Sequence, residues 1–129
     1  MFDWKKFILL AKRLCDIKTE ESIRTIVSRL YYGIFGIVRR YLINVKQKYY
    51  LRGADVKVHK HVSNELKHSK DSTEKELSEI LNKLRVFRNH ADYDDEYDEQ
   101  FFVEFLYENR KDLEIAIDIT NYFMNHPDY

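Results

Sequence analysis

The sequence predicts an all-α protein that folds as an antiparallel bundle of four to five helices. Only 3 of its 129 residues are glycine and 1 is proline, which leaves few turn signals for a sheet protein. Apolar residues recur instead at helical spacing along most of the chain. Because 129 residues can bury one core without disulfides, we interpret residues 1–129 as a single domain.

The first two helices are predicted from an apolar stripe and a cap. The first is expected over residues 2–15, and the second begins after Thr19, whose hydroxyl caps the acidic turn that follows. Gly33 and Gly36 lie inside the second helix, where each costs about 1 kcal/mol relative to alanine. We therefore expect another helix to approach closely at these glycines and compensate for them.

The second half of the chain contains two further strong helical patterns and a weaker one. Residues 52–55 interrupt the pattern and are expected to form a loop, and a weak helix follows around residues 62–66. A capping box at residues 73–76 begins the next helix, which ends near Tyr93. Asp98 then caps a last helix, which is expected to continue to the only proline.

Charge is distributed unevenly, although the formal net charge is zero. Residues 1–60 contain 14 Lys and Arg against 5 Asp and Glu, whereas residues 61–129 contain 8 against 17. Such a division either steers an anionic partner to the basic side or neutralises itself within the fold. Zero net charge argues against bulk attraction of nucleic acid, but it is compatible with a local RNA site.

Several classes of protein and site are disfavoured by what the sequence lacks. It contains no secretory signal and no apolar run of the roughly 18 residues that a membrane span needs, so we expect a cytoplasmic protein without membrane contact. The single cysteine excludes a disulfide within the chain. His59 and His61 are two residues apart, which on a helix directs them away from a shared ion. No motif implies a metal or a cofactor.

The helix before Tyr93 carries an arginine on its apolar face. Arg88 falls near the middle of the stripe and Arg85 and Asp92 lie at its margin, the apolar members being Leu77, Ile80, Leu81, Leu84, Phe87 and Ala91. An arginine aimed at an apolar interface must be paired there or act there. One interpretation is a purely structural ion pair between Arg88 and Asp92, four residues apart.

The other interpretation is phosphodiester cleavage by residues of the same helix. An arginine would stabilise the pentavalent phosphate, and a histidine or polar neighbour would move or orient the proton of the 2′-hydroxyl. That route needs no metal, because the RNA supplies its own nucleophile. The residue types are present in this helix as Arg85, Arg88, Asn89, His90 and Tyr93.

Two stretches resemble signatures of HEPN domains (higher eukaryotes and prokaryotes nucleotide-binding). Residues 28–35, Ser-Arg-Leu-Tyr-Tyr-Gly-Ile-Phe, are similar to the signature Ser-Arg-x-Tyr-Tyr-x-x-Phe. Residues 88–95, Arg-Asn-His-Ala-Asp-Tyr-Asp-Asp, are similar to the ending Arg-x-x-Ala-Asp-Tyr-Asp-Asp of one small prokaryotic HEPN branch. The order of the motifs, their spacing and the predicted helices agree over nearly the whole chain.

The resemblance implies a HEPN-like bundle of four to five helices and a homodimer with a composite cleft between its subunits. Active HEPN members are metal-independent endoribonucleases with an Arg-Asn-x-x-x-His pattern. Many are toxins encoded beside a minimal nucleotidyltransferase antitoxin, which in some systems modifies a tyrosine near the motif with AMP. The expected function is thus that of an RNA-cleaving toxin. The alternative is a non-catalytic HEPN module that binds a nucleotidyltransferase partner, a nucleotide or RNA.

The motif fits this sequence in two registers. Alignment on Arg88 and Asn89 places Tyr93 where active families have histidine, whereas the second register pairs Arg85 with His90. On an ideal helix both five-residue spacings separate the side chains by about 140°, so help from a second subunit is expected. The candidate residues are therefore a catalytic set and a substrate-binding set: Arg85, Arg88, Asn89, His90 and Tyr93 for catalysis, and Arg29, Tyr32 and Asp92 for the substrate.

Overall fold

The structure is a computed structural model that describes residues 1–53 and 56–129. It is all-helical within these ranges, as predicted. The helices are α1 Lys5–Leu14, α2 Glu20–Asn44, α3 Val58–Lys67, α4 Ser72–Tyr93, α5 Glu99–Glu108 and α6 Arg110–Met124, with a 3₁₀ turn at Tyr49–Arg52. The predicted loop at residues 52–55 includes residues 54 and 55, which lie outside the described residues. No helix of the described ranges is long and apolar enough to cross a membrane.

The prediction of four to five helices is wrong by one, because the last predicted helix is two helices. The break is at Asn109, whose backbone leaves the helical region at φ −103° and ψ 13°. Its side-chain amide donates to the carbonyl of Phe105 at 2.9 Å. Asparagine favours such local bonds over a continuous helix, so it ends α5 and begins α6. The chain turns there, and both helices then pack against α2.

Caps set the other boundaries. The predicted caps are confirmed at Thr19, which accepts from the Ser22 amide at 3.2 Å, and at Asp98. The capping box predicted at residues 73–76 is wrong. Asp71 caps α4 instead and accepts from the Thr73 amide at 2.8 Å, because the helix begins at Ser72, one residue before Thr73.

The second helix, α2, lies at the centre of the bundle. It packs against α1, α4, α5 and α6, and its apolar residues form the largest part of the core. Four of these residues are completely buried: Val27, Ile34, Ile37 and Val38. Removing a buried side chain of this size from water contributes roughly 1.5–3 kcal/mol, so the long stripe explains why α2 organises the fold.

The glycines of α2 are explained by the close approach of α1, as predicted. A Cβ atom at Gly33 would lie 2.7 Å from Cγ1 of Ile8, and one at Gly36 would lie 2.0 Å from Cδ2 of Trp4. Both distances are shorter than side-chain atoms allow. The absence of a side chain at these two positions therefore lets α1 pack directly against the α2 backbone.

The end of α4 is tied to α2 by Arg24. Its Nη1 donates to the carbonyls of His90, Ala91 and Asp94, at 3.2, 3.2 and 2.7 Å, and its Nη2 donates to the carbonyl of Tyr97. A cation at a helix C-terminus interacts favourably with the carbonyls of the last turn, including that of His90, which also accepts from the Asp94 amide. This contact fixes the segment of α4 that carries the candidate site.

Candidate functional site

Arg88 lies between α2 and α4, with its side chain only 8% exposed. Its guanidinium carbon is 5.3 Å from the ring centroid of Tyr31 and 5.2 Å from that of Tyr32. Its Nη1 is 3.7 Å from Oδ2 of Asp92, which is a long separation for an ion pair. Its Nε is buried without a hydrogen-bond partner. The guanidinium is therefore held by aromatic faces and keeps a buried donor unused.

Arg85 lies one turn earlier on α4 and shares one feature with Arg88. Its Nε is also buried without a hydrogen-bond partner. Among the described residues, Asp92 is the only carboxylate within ion-pair distance of either arginine. Two guanidinium groups with unused donors and one distant counter-charge form a site that favours an anion.

His59, at the start of α3, completes the group. Its Nδ1 is hydrogen-bonded to the hydroxyl of Tyr31, and its ring stacks on Phe35 with centroids 4.2 Å apart. Burial and, to a lesser extent, the positive charges of Arg85 and Arg88 together lower the pKa of His59 to about 4. The imidazole is therefore neutral at pH 7 and able to accept a proton.

Tyr31 links the histidine to the arginines. Burial raises the pKa of its phenol well above the ordinary value, while the charges of Arg85 and Arg88 oppose the rise. The hydroxyl consequently keeps its proton at neutral pH and orients the ring of His59 through their shared hydrogen bond. Tyr31 thus acts as a positioning residue for the imidazole.

The predicted substrate-binding residues come together beside Arg88. Ser28 donates to Oδ2 of Asp92 at 3.4 Å and accepts from Nη2 of Arg29 at 3.1 Å. The guanidinium carbon of Arg29 is 5.2 Å from the ring centroid of Tyr32. The two sequence motifs therefore meet across α2 and α4. An open cavity of about 420 Å³ adjoins them, lined by Arg24, Thr25, Ser28, Arg29, Ala91 and Asp92.

The other predicted catalytic residues lie elsewhere within the subunit. His90 is about 200° around the helix from Arg88, and its Nδ1 is 3.3 Å from the carboxylate of Asp94. Its ring packs edge-on against Tyr97, with centroids 4.5 Å apart. Asn89 is exposed and Tyr93 is 77% exposed. Whether a second subunit would bring these groups to the arginines stays a prediction.

Sequence reasoning considered His59 only as a metal ligand, and so it missed the histidine that contacts this site. His59 and Tyr31 are 28 residues apart and lie on different helices, α3 and α2, so helical spacing in the sequence does not relate them. Only the packing of α3 against α4 and α2 joins them. In the described ranges, His, Cys, Asp and Glu side chains form no group of three that could hold a metal ion.

No protein-family model, no curated protein and no solved structure matches this chain.

Proposed function

We propose that this protein is a cytoplasmic HEPN-type endoribonuclease, the toxin of a toxin–antitoxin pair, that cleaves RNA without a metal at a cleft between two copies of the chain. The observation that carries the proposal is the pair of arginines, Arg85 and Arg88, beside the neutral imidazole of His59. Each arginine has a buried Nε without a partner. The two sequence motifs support the choice of family, and they supply most of the residues around the arginines.

The arginines would bind the scissile phosphate. Charge-assisted hydrogen bonds from guanidinium groups to phosphate oxygens are short and strong, and they suit a planar pair of donors. The same donors would stabilise the additional negative charge of the pentavalent transition state. Arg29 and Tyr32 of α2, which lie beside Arg88, would contact the nucleotide next to the scissile phosphate. Tyr32 would do so by stacking on its base.

His59 would act as the general base. In the tautomer whose Nδ1–H donates to the Tyr31 hydroxyl oxygen, Nε2 of the imidazole would take the proton of the 2′-hydroxyl, and that oxygen would form a bond to phosphorus as the bond from phosphorus to the 5′-oxygen breaks. The products would be a 2′,3′-cyclic phosphate and a 5′-hydroxyl. His90 and Tyr93 are the candidates for protonating the leaving oxygen, if a second copy places them in the cleft.

The test is RNA cleavage in excess EDTA by the wild type and by Arg88→Ala, His59→Gln and Arg110→Ala. Arg110 is an arginine of α6 that stacks on Tyr107, far along the chain from the site, and it serves as the matched control. We expect cleavage by the wild type and the control, a loss of at least about 100-fold in Arg88→Ala, and a loss of about 100-fold or more in His59→Gln. Intact RNA at high wild-type concentration would overturn the proposal.

A non-catalytic HEPN module is the second candidate, and the position of Tyr93 favours it. Its side chain is 77% exposed at the end of α4, next to a run of carboxylates. It is therefore accessible to a nucleotidyltransferase partner, which the resemblance implies could attach AMP. Co-purification of the neighbouring gene product, with a mass increase of one AMP that Tyr93→Phe abolishes and with no RNA cleavage, would support this second function.

A further inference from the structure

A cationic cavity, separate from the one beside Arg29, lies between the residues that precede α1, the second half of α2 and the 3₁₀ turn. It has a volume of about 420 Å³, and its lining includes Arg39, Arg40 and Arg52 but no carboxylate. Trp4 and Asn44 also line it, together with Met1, Gly36 and Ile43. Within residues 1–53 and 56–129, no carboxylate lies within ion-pair distance of any of these three arginines. The cavity therefore concentrates the positive charge of three arginines without a direct ion pair to any of them.

Two of these arginines are already held in place. Arg39 donates from Nε to the carbonyl of Leu51 at 2.7 Å and from Nη2 to that of Gly53 at 3.4 Å. Arg40 lies with its guanidinium carbon 4.5 Å from the ring centroid of Tyr129, and its Nε is buried without a hydrogen-bond partner. Side chains fixed before binding lose little conformational entropy when a ligand arrives.

We propose that this cavity binds a phosphorylated small molecule that also carries a flat ring. Guanidinium groups match the geometry of phosphate oxygens. Part of the Trp4 indole packs on Gly36, but the side chain is only half-buried, so its remaining surface offers an apolar contact for a planar ring. The volume falls within the range of small-ligand sites. The proposal is independent of the ribonuclease site, because no residue of the two sites is shared.

The fluorescence of Trp4 reports this binding directly, because Trp4 is the only tryptophan of the chain. The ligands are AMP, inorganic phosphate and adenosine, each titrated into the intact protein. We expect a saturable change with AMP, at a dissociation constant at least tenfold lower than with phosphate or adenosine. Arg40→Gln and Arg52→Gln should each weaken AMP binding about ten- to a hundredfold. Arg110→Gln, the matched control, and Arg88→Ala should leave it unchanged.

Three results would overturn the proposal: no saturable change with AMP, adenosine binding as tightly as AMP, or unchanged affinity in both pocket variants. Equal affinity for AMP and inorganic phosphate would refute the role assigned to Trp4 and the ring. Arg52 is exposed, so its variant should fold even if Arg40→Gln does not. Circular dichroism of each variant checks this.

Discussion

Replacing Arg88 with methionine separates the role of this residue in function from its role in folding. Methionine keeps an unbranched stem between α2 and α4 but has no charge. The variant loses two ring contacts, each worth about 0.5–2 kcal/mol. It also loses the 3.7 Å contact with Asp92, whose side chain is 26% exposed. An ion pair that reaches solvent in this way contributes about 0–1 kcal/mol.

The same substitution removes two unfavourable features of the native site. A buried donor without a partner, such as Nε of Arg88, is unfavourable by about 1–3 kcal/mol. The substitution also removes the repulsion between Arg88 and Arg85, two like charges within one turn. Because losses and gains are of similar size, we expect the free energy of unfolding of Arg88→Met to lie within about 1 kcal/mol of the wild type.

Urea unfolding and RNA cleavage in EDTA, measured on the same preparation, test this prediction. We expect an almost unchanged unfolding free energy together with at least about 100-fold slower cleavage. Asp92→Asn is the control for the ion pair and should also remain stable. A loss of more than about 3 kcal/mol in Arg88→Met would refute the reasoning, because it would show that the arginine stabilises the fold. Retained cleavage would refute its assignment to the phosphate.

Three further predictions concern the supports of the site. Gly36→Ala should lower the unfolding free energy by about 1 kcal/mol or more, because overpacking against Trp4 outweighs the gain in helix propensity, whereas Gly53→Ala, which meets no atom within 4 Å, should not. The pKa of His59 is lowered from 6.5 to about 4 in the folded protein, so between these pH values the unfolded chain binds a proton that the folded protein does not. The contribution of His59 to stability is therefore complete above pH 6.5 and is lost as the pH falls from 6.5 to about 4. We expect the free energy of unfolding to fall by on the order of 2 kcal/mol over this pH interval, allowing for solvent screening. Urea unfolding at several pH values measures this fall, and it should be absent in His59→Gln. Arg24→Met should reduce stability by about 2–4 kcal/mol and speed amide hydrogen exchange in the last turn of α4.

Local patterns predicted the helices well, because an amphipathic stripe and a cap each depend on neighbouring residues. The buried position of Arg88 followed from the stripe of α4, and the close approach at Gly36 followed from a helix interior that tolerated glycine. The break at Asn109 was not predicted. A single asparagine inside a continuous apolar stripe is common, and only the side-chain bond to Phe105 shows that the helix ends there.

The site was predicted only in part, for a related reason. Residues of the two motifs, such as Arg29 and Asp92, are brought together because each lies on a long helix that packs against the other. His59 lies outside both motifs, and its neighbours in sequence give no sign that α3 contacts Tyr31. The unused donors of Arg85 and Arg88 could not be predicted from the sequence either, since whether a buried donor finds an acceptor depends on tertiary contacts.

Cleavage of matched RNA substrates in EDTA tests the central claim, that the arginines and His59 form a metal-independent ribonuclease site. One substrate is an all-RNA oligonucleotide, and the other has the same sequence with 2′-deoxyribose at the cleaved position. We predict that the wild type cleaves the RNA to a 2′,3′-cyclic phosphate, leaves the deoxy substrate intact, and loses activity in Arg88→Ala. Cleavage of the deoxy substrate, or equal activity in Arg88→Ala, would contradict the account.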